Sequence, residues 1–228
     1  MLEKLSLNSV RPKLLAVRLI PAPDVELSKK LTGSRQNSIS YGVISCDFDH
    51  ALHVALDEAT KASPVHVLYV RSMYAGLTRT SDGLTGEVLG ILEGADDEIV
   101  REGLKAAART LQDDLQLYTT PGSPGVTFFP HVVTSLGEYL SKESGLPVGD
   151  AMAYLIAPPL ESVIALDAAL KAAHVRLIKH FAPPTQTNRG GAFLAGPLEE
   201  CQAAAYAFAE AVARVASVPI QALDRKTS

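Results

Sequence analysis

IALDAALKAAHVRLI, residues Ile164 to Ile178, decides the fold, because the chain has already written VALDEATKASPVHVL at Val54 to Leu68. Ala165 falls 110 residues after Ala55, and Leu, Asp, Ala, Lys, Ala and Val recur in register through Val65 and Val175. A second echo places LSK at Leu27–Lys29 and again at Leu140–Lys142, 113 residues on, and a strand match of Ile44 with Ile156 gives 112. Small deletions in loops account for such a drift, so the chain reads as a tandem duplication. At 228 residues each copy is long enough to own a core, which argues for two packed domains rather than a solenoid.

The apolar periodicity predicts one course of elements run twice. In the first half it gives strands at 14–20, 41–46, 65–71 and 87–92 and helices at 25–31, 50–62 and 96–111. In the second it gives strands at 128–134, 152–157, 175–181 and 191–194 and helices at 138–142, 160–172 and 198–215. TTPGSPG at Thr119–Gly125 is the natural linker, dividing the chain into domains at 1–120 and 121–228. The fold class is α/β in the broad sense (α+β), each unit a sheet with helices packed on it.

Hydrophobic residues make up 47% and charged residues 20%, with no apolar run approaching the roughly 18 residues of a membrane span. The amino terminus, MLEKLSLNSVRPK, lacks the apolar core of a secretory signal, so a cytoplasmic location is expected. A net charge of −4, with Lys and Arg scattered, gives no footprint for nucleic acid or an anionic membrane. Cys46 and Cys201 stand alone and read as buried thiols rather than a metal or redox pair.

Catalytic signatures are missing: there is no GxSxG elbow, phosphate loop, dinucleotide fingerprint or HExxH helix, and no cofactor or metal is expected. The histidines lack metal-binding spacing. SCDFDH, at Ser45–His50, leaves two readings open: an aspartate that caps the following helix, or a cation-binding pocket. Asp57–Lys61 and Asp167–Lys171 both have i, i+4 spacing, worth only about 0.2–0.5 kcal/mol, so the repeated lysine reads either as a contact outside its own helix or as part of a solvated face. Two polar loops occupy equivalent places after the third strands, SMYAGLTRTSDG at Ser72–Gly83 and PPTQTNRGG at Pro183–Gly191. Their length leaves two readings open, a binding or gating role and flexible surface filler.

ALDEATKA and ALDAALKAAHV resemble the Asp/Lys helix of bacterial microcompartment shell domains. RSMYAG, TGEVL, GDAMAYLIAPPLES, the TN of PTQTNRGGAFLAG and a late VPIQ together resemble the tandem-domain shell proteins of ethanolamine-utilisation microcompartments over nearly the whole chain. The resemblance implies two circularly permuted shell domains per chain, a homotrimer that imitates a hexamer, and tiling with other shell proteins into a shell. It places Lys61 and Lys171 at shell edges. It places Tyr74, Thr187 and Asn188 on loops that open or close a central pore. It also implies a smaller pore between the domains, where ethanolamine binds and favours the closed state. Asp47, Asp49 and Glu87 match the acidic lining of that pore, with Phe128 or Phe129 against the ligand's methylenes. His50 stands where another acid is expected, and Arg79 and Arg189 add positive charge. Beside this non-enzymatic reading stand a shell trimer of a microcompartment for another substrate, a tandem regulatory module that binds a small metabolite, and an acid–base enzyme using Asp47, Asp49 and His50, which lacks a nucleophile or cofactor motif.

Overall fold

A computed structural model describes residues 5–32, 40–73, 87–122, 125–182, 187 and 189–220. The first half contains strands β1 (Asn8–Val10) and β2 (Leu14–Pro21), helix α1 (Val25–Thr32), β3 (Ser40–Cys46), α2 (Asp49–Ala62), β4 (His66–Met73), β5 (Glu87–Gly94), α3 (Asp97–Arg109) and β6 (Leu117–Thr119). The second contains β7 (Thr127–Val133), α4 (Glu138–Ser144), β8 (Met152–Ala157), α5 (Pro159–Ala172), β9 (Arg176–Phe181), β10 (Gly190–Ala195) and α6 (Leu198–Ser217).

The duplication is visible in the topology. One sheet has the order β2-β3-β5-β4, the other β1-β6-β7-β8-β10-β9, and every pairing is antiparallel. Removing β1 and β6 leaves the same strand order in both halves. The two added strands are three residues long, too short to carry a period, and were not anticipated from the sequence. Both precede residue 120 yet extend the sheet of the second half.

Local chemistry fixes the helix ends. Asp96 caps α3 by accepting from the Ile99 amide at 2.9 Å, and Pro159 opens α5, where a missing N–H costs nothing. Gly145 ends α4 at φ 73°, a left-handed turn that glycine adopts without strain. Helix α3 was expected to run to Leu111; instead it stops at Arg109 and widens into a π-helical turn over Thr110–Asp114. There Arg11 donates to the carbonyls of Gln112 and Asp113.

The helix-facing side of the first sheet carries Gly42, Ile44, Gly90 and Leu92. A Cβ at Gly42 would meet Leu104 of α3 at 2.7 Å, and one at Gly90 would meet Leu56 of α2 at 2.8 Å, so these glycines admit the helices. In the second sheet Ala153, Leu155 and Ala157 face α5 and α6, within a core that also holds Phe128, Cys201, Ala204 and Phe208. Leu155, not Ile156, is therefore the counterpart of Ile44, and the offset in this strand is 111. A one-residue difference reverses which face a strand residue occupies. Ile156 lies on the opposite face with Phe129, Tyr154 and Phe193, in the larger core that the second sheet shares with α2 and α3. Helices α2 and α3 are thus enclosed between the two sheets, while α5 and α6 cover the far side of the second. Cys46 and Cys201 are both buried and unbridged.

Candidate functional site

Between the halves lies a cleft of about 190 Å³. Asp49, His50 and His53 of α2 and Arg71 and Ser72 of β4 form one wall; Glu143 of α4, Tyr154 of β8, Lys179 and Phe181 of β9, Phe193 of β10, and Thr187 form the other. Helix α2 brings the first three together because Asp49, His50 and His53 lie on the side turned away from its own sheet, one turn apart.

The floor of the cleft is polar and buried. Asp49 accepts from the His50 amide at 2.8 Å and from the Ser72 hydroxyl at 3.1 Å. His50 Nδ1 lies 2.7 Å from the Tyr154 hydroxyl, and its Nε2 lies 3.3 Å from Asp49 Oδ1 without the alignment of a hydrogen bond. Burial pushes the His50 pKa down to about 4 against the pull of Asp49, and pushes the Tyr154 phenol well above its ordinary range. At neutral pH the ring is uncharged. In the tautomer protonated on Nε2 it accepts from Tyr154 and turns its N–H toward Asp49. His53 Nδ1 meets the Tyr139 hydroxyl at 2.5 Å, with the rings stacked. At the rim Lys179 pairs with Glu143 at 3.1 Å and lies 5.7 Å from the Phe181 ring centroid.

Asp47, Asp49 and Glu87 converge on the end of β3. All three act on the buried Cys46 thiol, whose pKa rises chiefly through burial and further through their negative field. Only Asp49 lines the cleft. Asp47 is fully buried and accepts from the Lys13 amide at 2.8 Å, tying the start of β2 to the end of β3; Glu87 begins β5 opposite Met73. Arg189 is also buried: its guanidinium donates to the Thr127 carbonyl at 2.6 Å and lies 5.3 Å from the Phe48 ring, within the field of Asp49.

The phenylalanine pair divides across the sheet. Phe128 points into the α5/α6 core, away from the cleft, whereas Phe129 lies on the cleft side, stacked on His131 and edge-on to Phe48 and Tyr154. Both are fully buried. Thr187 is buried and lines the cleft, with a hydroxyl that has no hydrogen-bond partner among the described residues. Tyr74, Arg79 and Asn188 lie outside the described residues. Lys61 pairs with Glu58 and donates to the Ser135 carbonyl at 3.0 Å, while Lys171 pairs with Asp167 at 2.7 Å.

Sequence reasoning missed His53, Tyr139, Glu143, Tyr154, Lys179 and the phenyl wall. The histidine partners lie 86 and 104 residues away, and Glu143 and Lys179 meet across 36, but the repeat held one clue: His50 and His53 occupy positions that Leu160 and Val163 fill in the second copy.

Paired α+β units of one strand order, fused in a single chain around a polar cleft, define a double shell domain of the kind that builds bacterial microcompartments. No protein-family model matches the chain. The microcompartment shell protein EutL of Clostridium perfringens (strain 13 / Type A) is 46% identical over 211 residues, which span 92% of this chain and 97% of that protein. EutL of Escherichia coli (strain K12) is 39% identical over 216 residues, 95% of this chain and 98% of its own. The crystal structure of EutL from Clostridium perfringens superposes with a TM-score of 0.87 at 45% identity, covering 95% of this chain and 98% of the other. The chain belongs to the EutL family. The crystal structure of ethanolamine utilization protein EutL from Leptotrichia buccalis C-1013-b superposes equally well, with a TM-score of 0.87 at 42% identity over 94% of this chain and 99% of the other. The chain's role is that of a structural component of the shell in ethanolamine utilisation, not that of an enzyme. Among the described residues no helix is long and apolar enough to cross a membrane.

Proposed function

We propose that three copies of the chain close head to tail into a pseudohexameric ring, each supplying one shell domain over 1–120 and another over 121–228. The observation that carries this reading is the unequal burial of two equivalent helices. Within the chain α2 docks on α4: His50, Val54 and Asp57 are buried and His53 stacks on Tyr139. At the matching positions of α5, Leu160 is 56% exposed and Val163 59%, with Ile164 and Asp167 also exposed. Large apolar side chains on a helix face need cover. The matching cover is α1, the counterpart of α4, whose Val25 and Leu27 are exposed. Since α1 and α5 belong to different halves, repeating the internal contact between copies is head-to-tail, and such contacts close into rings when the rotation permits. A sixfold arrangement of halves closes at three chains.

In this ring the loops after β4 and β9, with Tyr74, Thr187 and Asn188, surround a central opening and gate the passage of small metabolites. The cleft between the halves takes ethanolamine. Its ammonium is attracted to Asp49, an interaction of about 4 kcal/mol for opposite charges about 4 Å apart at a surface-like dielectric, with a weaker contribution from the more distant Asp47 and Glu87. Phe181 and Phe193 form the apolar wall of the cleft, and Phe129, fully buried, packs behind Tyr154. The lysines of the repeated helix, Lys61 and Lys171, serve contacts between tiles and with other shell proteins.

Light scattering coupled to gel filtration tests the ring. The unmodified chain should elute with the mass of three chains and form threefold discs in electron micrographs, and Ile164→Asp should release folded monomers. A monodisperse monomer of the unmodified protein, or a trimer indifferent to Ile164→Asp, refutes the seam.

A further inference from the structure

β2 is the outer strand of the four-stranded sheet, and no described strand pairs with its outer side. Its counterpart β7 is not an edge. β6 extends the sheet beyond it, with Tyr118 opposite Phe128 and Thr119 opposite Thr127. β2 is eight residues long, reads LLAVRLIP and carries one charge, Arg18, which donates to the Val17 carbonyl at 2.9 Å. A long apolar edge with unpaired N–H and C=O groups invites another strand, and proteins ordinarily cover or blunt it.

The repeat identifies the cover. β6 follows α3 and its π turn directly, then leaves the first half to pair with the second. The segment in that place after α6 begins at Val218. Leu115 closes the π turn and Val218 closes α6, so the two occupy equivalent positions. The alternation Leu115-x-Leu117 returns as Val218-x-Ile220. Leu115 and Leu117 are sealed in the core, whereas Val218 is 61% exposed and Ile220 88%.

We propose that the segment beginning at Val218 adds as an antiparallel strand to the open edge of β2 in the neighbouring copy, the intermolecular twin of β6 on β7. This rests on the ring proposed above and deepens it. The directions agree: α2 docks on α4 and β6 crosses to β7, both from first half to second, so α5 to α1 and the segment after α6 to β2 both run from one copy to the next. Main-chain bonds along the edge supply affinity, and alternate side chains supply register. Carrying over the β6–β7 register, with β2 113 residues before β7 and the added strand 103 after β6, sets Ile220 opposite Ala16.

The test is a cysteine pair, Ala16→Cys with Ile220→Cys, in the full chain, where the native cysteines are buried. Directly opposed residues lie about 4.5–5.5 Å apart at Cα, inside the disulfide range of about 4.4–6.8 Å. Mild oxidation should yield covalently linked dimers and trimers on non-reducing gels, and neither single variant should do so. A bond within one chain, or no bond while scattering still reports a trimer, overturns the strand addition and leaves the ring standing; loss of the trimer in the unmodified protein removes both. In a chain ended after Ser217, hydrogen exchange at the outward amides of β2 should quicken at least about tenfold with β7 unchanged. Unaltered protection of β2 overturns the proposal.

Discussion

Replacing Asp57 with alanine should be among the most destabilising single changes in the molecule, while the same change at its repeat partner Asp167 should hardly register. Asp57 has no exposed surface, and its carboxylate accepts from the amides of Gly137 at 2.7 Å and Leu140 at 2.8 Å. These are first-turn amides of α4, a helix that has no side-chain cap of its own. Asp57 therefore caps a helix of the other half from 80 residues away. Hydrogen bonds to a charged group contribute about 1.5–3 kcal/mol each. Burial of the carboxylate, which raises its pKa, offsets part of that. Alanine then leaves two buried amides without acceptors, for a net loss of about 3 kcal/mol. In a chain of this size that lowers the melting temperature by about 6–12 °C. Asp167 is exposed and meets only Lys171, a pair worth at most about 0.5 kcal/mol. Asparagine at 57 keeps acceptor capacity on one atom and should fall between. Urea unfolding followed by circular dichroism, at one fixed protein concentration because assembly adds to stability, reads all three variants. Equal midpoints for Asp57→Ala and Asp167→Ala would refute the capping argument.

Gly137→Ala should cost about 1–3 kcal/mol in the same assay, because its Cβ would come within 2.7 Å of the Asp57 carbonyl and 2.8 Å of its carboxylate. Stability should also fall in acid between about pH 6.5 and 4. Burial holds His50 and His131 at about 4 in the folded chain, so the unfolded chain binds more protons in that window, and each histidine forfeits on the order of 3 kcal/mol across it. Replacing His131 with leucine should flatten the slope of urea midpoint against pH; an unchanged slope would absolve that residue. Asp49→Ala and Glu87→Ala should each weaken ethanolamine binding by isothermal titration, and unchanged affinity would remove the residue from the site. Lys61→Ala with Lys171→Ala should leave the trimer intact while reducing sheets of tiles in electron micrographs, a result that normal sheets would contradict.

The repeat made the succession of strands and helices legible in the sequence, because each half buries its own sheet face against its own helices and so keeps its own period. Leu52, Ala55, Leu56 and Ala59 match Ser162, Ala165, Leu166 and Ala169 at the recurring offset of 110, and these are the residues each helix turns inward. The seam between the halves had no such period. Tyr154 sits in a strand buried on both faces, MAYLIA, where nothing in the sequence says which side it serves. That ambiguity also produced the match of Ile44 with Ile156, one residue off and on the wrong face. Asp57 read as half of an i, i+4 pair, but its acceptors were needed by backbone amides far along the chain, leaving Lys61 to Glu58 and Ser135. Charge spacing reports what two side chains can reach, not which partner is buried and therefore dearer to satisfy.

Copying a domain yields two seams, and their chemistry has diverged. Inside the chain the contact of α2 with α4 and β8 is rich in polar pairs set beside the shared apolar core: Asp57 on α4, Thr60 on the Glu138 amide at 3.2 Å, His50 on Tyr154, His53 on Tyr139. Such contacts gain little net free energy over hydration, yet they fix geometry, and the covalent linkage already keeps the partners together. A seam between separate copies has no such help and must overcome the entropy of association by burying apolar surface. At the matching positions of α5, Leu160, Val163 and Leu170 stand in place of His50, His53 and Thr60, with Ile164 exposed beside them where α2 has the buried Val54; only Asp167 stays polar. On the facing side α1 caps itself, Asp24 accepting from Glu26 at 2.9 Å and Leu27 at 3.3 Å, so no carboxylate from a neighbour is required there. In the proposed ring the polar residues are thereby reserved for the seam that holds a cleft, and the apolar ones for the seam that assembles the tile. A single shell domain repeated six times would have to use one surface for both.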